Sequence, residues 1–166
     1  NNNAEGRTDG SLTPIDPMTG APGKTVPVDD PYNMYFTPDG GAAIIVAEAL
    51  KRLDFRDPKT MALKSSIETP KCPGINHGDF SIDGRYAIFT CEYAGTLVKI
   101  DLVEKKVAGY LKLSKGEMPQ DIRIAPDGKV TFADSDEAPA AQERIAKRAK
   151  EIAARFAARS ENEQIP

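Results

Sequence analysis

The chain has 166 residues, 40% of them apolar and 28% charged, with a formal net charge of −3. No apolar run approaches the roughly 18–20 residues a membrane-spanning helix needs. No dense basic run precedes about the last thirty residues, so neither a membrane nor a nucleic acid is indicated as a partner of the main body.

The chain opens on Asn1-Asn2-Asn3 with no signal peptide, an opening that reads as a mature terminus or an engineered cut. Leu12-Thr-Pro-Ile-Asp16 and a strand near Lys24 to Val28 follow. Three segments then align without gaps: Tyr32-Asn-Met-Tyr-Phe-Thr-Pro-Asp-Gly40, Asn76-His-Gly-Asp-Phe-Ser-Ile-Asp-Gly84 and Gln120-Asp-Ile-Arg-Ile-Ala-Pro-Asp-Gly128. Their closing glycines are each 44 residues apart. Each segment predicts a short strand ending in a tight turn, with Asp as side-chain acceptor and Gly where φ is positive. Each leads into a second apolar run, at Ala42 to Ala47, Tyr86 to Cys91 and Val130 to Ala133.

Leu53-Asp-Phe-Arg-Asp57 and Leu97-Val-Lys-Ile-Asp101 repeat at the same offset, and Leu12 to Asp16 matches the first of them at 41. Turns at these aspartates lead to outer strands near Ala62 to Ile67 and Val107 to Leu113. The unit is four strands of about 5–6 residues, within the ~40–50-residue period of β-propeller blades. The fold class is therefore mainly β, built of antiparallel four-stranded blades. The motifs Phe36-Thr-Pro-Asp-Gly40 and Phe80-Ser-Ile-Asp-Gly84, with Leu97-Val-Lys-Ile-Asp101, resemble the YVTN-type repeats of bacterial extracytoplasmic β-propellers. From Ser11 to about Ala133 the likeness is to a seven-bladed, secreted or lipoprotein-like actinobacterial group. It implies the fold and an extracytoplasmic parent, but no activity.

Counted in this frame, residues 1–28 form an outer half-blade, 31–69 and 75–113 complete blades, and 119–134 an inner half-blade. About three blades cannot close a ring, since propellers have roughly 4–8. The two halves are complementary, so copies are expected to assemble head to tail, two chains giving a six-bladed ring. A partner chain carrying the missing blades is the alternative.

Residues 135–166 form a separate segment. Ser135-Asp-Glu-Ala-Pro139 is a helix-start signal. The stretch after it is free of Gly and Pro to Arg159, with Ile145, Ala149, Ile152 and Phe156 as a narrow apolar stripe. The segment resembles a fused or designed helix, whose stripe would pack on the blades, on a symmetry mate or on a designed partner.

In a propeller the first strand of each blade lines the central channel. Asn33, His77 and Asp121 are equivalent at its mouth, with Tyr35, Asp79 and Arg123 as a second ring two residues on. These six are the candidate ligand-binding residues. His and Asp around an axis suit a divalent transition metal, though bonds to loop backbone and channel water are the simpler account of them. Cys72 and Cys91 predict a disulfide closing the approach loop, or free thiols, or a metal site with His77. Hairpin counting places Cys91 roughly opposite Asn76, with Cys72 just beyond in the approach loop. Glu48 and Glu92, also equivalent, add charge to that face, while Asp29-Asp30 and Asp54/Asp57 read as turn-forming.

No nucleophile elbow, phosphate-binding glycine loop or His-Glu-x-x-His helix occurs, and neither catalysis nor a cofactor is expected. The leading expectation is an engineered propeller fragment that self-associates, a structural and assembly protein. A ligand- or metal-binding module at the channel mouth is the second reading, and a propeller-type enzyme the third.

Overall fold

A computed structural model describes residues 8–113 and 117–134. These residues are mainly β and form four antiparallel sheets, with a single 3₁₀ turn at Glu92–Ala94. The first sheet is a ribbon of β1 (Asp9–Leu12) and β2 (Val26–Asp29). A four-stranded sheet follows, β3 (Pro31–Phe36), β4 (Ala43–Ala47), β5 (Arg52–Arg56) and β6 (Leu63–Glu68), each strand paired with the next in sequence. The second four-stranded sheet has the same order: β7 (Ile75–Phe80), β8 (Tyr86–Cys91), β9 (Thr96–Asp101) and β10 (Lys106–Lys112). A last ribbon pairs β11 (Pro119–Ile124) with β12 (Val130–Asp134). The helix expected after residue 134, and a strand ending near Asn3, lie outside the described residues.

The turns explain why the strands stop where they do. Gly40 and Gly84 both sit at φ near +68°, where an L side chain is strained, so each hairpin places its glycine at this point. Ahead of them, the Thr37 hydroxyl donates to Asp39 Oδ1 (2.6 Å) and accepts the Ala42 N–H (3.0 Å). Ser81 repeats this latch with Asp83 and Tyr86. At the third turn Ala125 has no hydroxyl, yet the Gly128 N–H still reaches its carbonyl (2.8 Å). A second turn recurs on the outer side. Asp16, Asp57 and Asp101 each accept the backbone N–H groups two and three residues on, at 2.8–3.0 Å. These bonds favour the charged carboxylate and hold all three aspartates below their ordinary range.

The two four-stranded sheets stack face to face. Ile44, Val46, Leu53, Phe55 and Ile67 of the first form one core with Ala87, Phe89, Cys91, Val98 and Ile100 of the second. Burying a phenylalanine such as Phe89 stabilises by about 1.5–3 kcal/mol. Gly78 leaves room for it: a Cβ there would lie 2.4 Å from the ring. Phe89 also receives Tyr35 edge-on at 5.9 Å between centroids.

The other face of β5 departs from the sequence expectation. Asp54 is not a turn former but a fully buried strand residue. It takes Arg52 Nε (2.9 Å) and the Ser66 hydroxyl (2.6 Å), and Arg56 Nη2 lies 3.7 Å away. Arg52 also reaches Asp29 of β2 (3.0 Å), tying the first ribbon to this sheet. Asp57, by contrast, does form its turn.

Cys72 and Cys91 are joined in a disulfide across a separation of 19 residues. It ties the approach to β7 to the end of β8, and closing a loop of this size removes roughly 3 kcal/mol of unfolded-chain entropy. Cys91 stands opposite Ile75, not Asn76, because a bulge between Ile75 and Gly78 shifts the register.

Candidate functional site

The bulges recur where the candidate residues lie. β3, β7 and β11 each carry a register irregularity near their starts, between Pro31 and Asn33, Ile75 and Gly78, and Pro119 and Asp121. Such bulges re-aim side chains. The three strands run side by side, so residues 44 apart become spatial neighbours.

Asn33 and His77 meet directly, Asn33 Nδ2 lying 3.0 Å from His77 Nδ1. The amide nitrogen donates in this contact and the ring nitrogen accepts. Tyr35 Oη is 3.4 Å from the same nitrogen and accepts from Asn33 Nδ2 at 3.2 Å. Tyr32 packs edge-on to the His77 ring. Asp121 pairs with Arg123 on its own strand at 2.7 Å, and both charges act on the Tyr35 hydroxyl.

The expected second ring has a different task. Tyr35 Oη accepts the Gly78 N–H (3.2 Å), bonding β3 to β7. Its equivalent, Asp79, accepts the Ile124 N–H through Oδ2 (2.7 Å), bonding β7 to β11. Each of these side chains stitches its inner strand to the next one. Burial raises the Tyr35 phenol above its ordinary range. Arg123, the third member, bonds Asp121 and the Ile122 carbonyl.

The disulfide removes both thiolates, so the proposed metal set of Cys72, His77 and Cys91 is not formed. His77 turns instead to Asn33 and Tyr35. Among the described residues no group of three His, Cys, Asp or Glu side chains could hold a metal ion.

At the same end, the glutamates that the repeat made equivalent are joined by Tyr93, Asn76 and Asp30, which the repeat did not reveal. Burial pushes the Glu48 carboxyl up, helped by the charges of Glu92 and Asp30, while a hydrogen bond from Tyr93 opposes the shift. The buried Asn76 amide donates to Glu92 Oε2 at 3.0 Å. The signal available in sequence was the pair of aromatic residues, Tyr32 and Tyr93, adjoining Asn33 and Glu92. Chemically, the whole face offers neutral hydrogen-bonding groups beside two carboxylates.

No family model matches the chain, and no curated protein matches it. Among solved structures, it is similar to Kuenenia stuttgartiensis hydrazine synthase, with a TM-score of 0.63 and 21% identity over 76% of this chain and 40% of that one. A functionally unknown protein from Desulfotomaculum acetoxidans is similar with a TM-score of 0.58 and 13% identity, over 74% and 41% of the two chains. The chain thus spans about two fifths of either structure. At these identities the likeness concerns the fold alone. No helix among the described residues is long and apolar enough to cross a membrane.

Proposed function

We propose that this chain is a segment of a β-propeller of the YVTN type and acts as a non-catalytic assembly scaffold, its ring completed by a second copy of itself. One observation carries the reading. The described residues hold two complete four-stranded sheets flanked by two two-stranded ribbons, and the repeat assigns one ribbon the outer strands and the other the inner strands of the same unit. The inner strands follow one another as blades do around an axis, with Asn33 against His77 and Asp79 against β11. Two chains joined head to tail bring the halves together twice and close the ring at six blades. Native mass spectrometry of the full chain tests this. A species of two-chain mass is the expected result, and a monomer at micromolar concentration overturns it.

A second reading is favoured by the Asn33, Tyr35 and His77 contact, where three polar side chains converge at one end of the inner strands. There they would bind a small polar ligand at the channel mouth. A thermal-shift screen compares the protein with its His77→Ala variant. A compound that stabilises the former by several degrees and not the latter supports this reading, and no such compound overturns it.

A further inference from the structure

The two four-stranded sheets have the same register but unequal cover. In the first, Leu53 pairs with Ile67, and in the second Leu97 pairs with Leu111, their equivalents 44 residues on. Ile44, Leu53, Phe55 and Ile67 are all buried against the second sheet. Their counterparts Ile88, Leu97, Lys99 and Leu111 line an open groove of about 300 Å³, together with Gly109, Tyr110 and Val130. Ile67 and Leu97 are each 5% exposed, whereas Leu111 is 61% exposed, so the difference in cover lies on β10.

The cause is visible in the strand order. The outer half of the first sheet is covered by β9 and β10, the outer strands of the next one. Among the described residues the second sheet is followed by β11 and β12, whose cover reaches the groove at Val130. The equivalents of β9 and β10 are not among them. The ribbon β1–β2 has that identity: the turn at Asp16 that joins its strands is the turn of Asp57 and Asp101. One of its apolar groups also lacks the cover its equivalent enjoys. Ile15 is 57% exposed, while Ile100, which the repeat aligns with it, is fully buried against the first sheet.

We propose that the groove of Leu97, Leu111 and Val130 is a self-association seam, occupied by the β1–β2 ribbon of a second copy. The ribbon lies alongside β12 and covers the second sheet as β9 and β10 cover the first. The interface already present between the two four-stranded sheets is thus the template for the one between chains. This inference rests on the ring-closure reading and assigns its contact residues. Lys99 does not interrupt the apolar surface with its charge: its ammonium lies 3.9 Å from the Tyr86 ring centre, leaving the stem along the groove.

The test uses the full chain and two variants, Leu111→Arg in the groove and Ile15→Arg on the ribbon, with Leu111→Ser as a second groove variant in case the arginine impairs folding. Native mass spectrometry should show two-chain species for the unmodified protein and monomer for each arginine variant, at least a tenfold loss of association. An equimolar mixture of Leu111→Arg and Ile15→Arg should recover the two-chain mass, because one intact groove then meets one intact ribbon. Leu63→Arg, on an exposed site of β6, should leave the mass unchanged. If the unmodified chain associates but the groove variants do so equally well, the seam is wrong while ring closure stands. If the mixture fails to recover, the groove has a different occupant and the proposal falls. A monomeric unmodified chain overturns the seam and the ring-closure reading together.

Discussion

The first and second four-stranded sheets share strand order, turn chemistry and register, yet they are stabilised differently. The first hides apolar residues on the face towards its successor and charges on the face towards β1–β2. Its Asp54 is fully buried between Arg52, Arg56 and Ser66. At the positions of Asp54 and Arg56 the second sheet has Val98 and Ile100, both fully buried in the core. It carries the disulfide instead, and an outer face that the described residues leave open at Leu111. A repeated backbone therefore does not dictate how each copy meets its surroundings. The residue pattern adapts to what lies on either side.

The largest expected effect separates these two modes of stabilisation. Asp54→Ala removes the buried carboxylate shared by Arg52 and Arg56 and should cost about 3–5 kcal/mol in urea unfolding. The corresponding Val98→Ala removes only methyl groups and should cost about 1–3 kcal/mol. Equal losses would mean that Asp54 adds nothing beyond its volume. Next comes the disulfide, which the first sheet lacks. The Cys72→Ser, Cys91→Ser double variant should lose about 2–4 kcal/mol, and an unchanged denaturation midpoint in its presence would contradict this.

A finer probe uses one register position in both sheets. Ile67→Ala should cost about 2–4 kcal/mol, because it opens a cavity in the core. Leu111→Ala at low concentration, where chains are apart, should change stability by less than about 0.5 kcal/mol, as exposed sites do. Comparable costs at these two sites would show that the groove is covered within the single chain.

The smallest expected effect concerns pH. Glu48 has its folded pKa raised by burial, so its charge opposes folding at neutral pH and ceases to once it is protonated in both states. Glu48→Gln should therefore raise the melting temperature slightly at pH 7 and have no such effect below about pH 4. The turn aspartates act in the opposite sense. Their folded values are depressed, so their contribution is present at neutral pH and is lost as pH falls through those values. Acid titration of the melting temperature in both proteins checks the two signs together.

Much of the candidate site was legible as positions and little of it as chemistry. The offset correctly brought Asn33 beside His77, because equivalent strands are neighbours. It could not say that Tyr35 and Asp79 accept backbone N–H groups of the adjoining strand, since that depends on side-chain reach across a gap between sheets. It likewise misplaced Cys91 by one residue, because a bulge leaves no mark in a simple count. Asp54 was misread for a related reason: in sequence it resembles the turn aspartates, and only the surrounding arginines and Ser66 distinguish it.

By itself, the sequence determined the strands, the hairpin turns and the 44-residue unit, all of which rest on local chemistry. Asp and Gly make a turn wherever they fall, and alternating apolar runs make strands. Only the tertiary structure decided which faces are covered, which charges are buried and whether the two sulfurs are joined. Those depend on what the neighbouring sheet presents, and a repeat looks the same in sequence whether its neighbour is present or not.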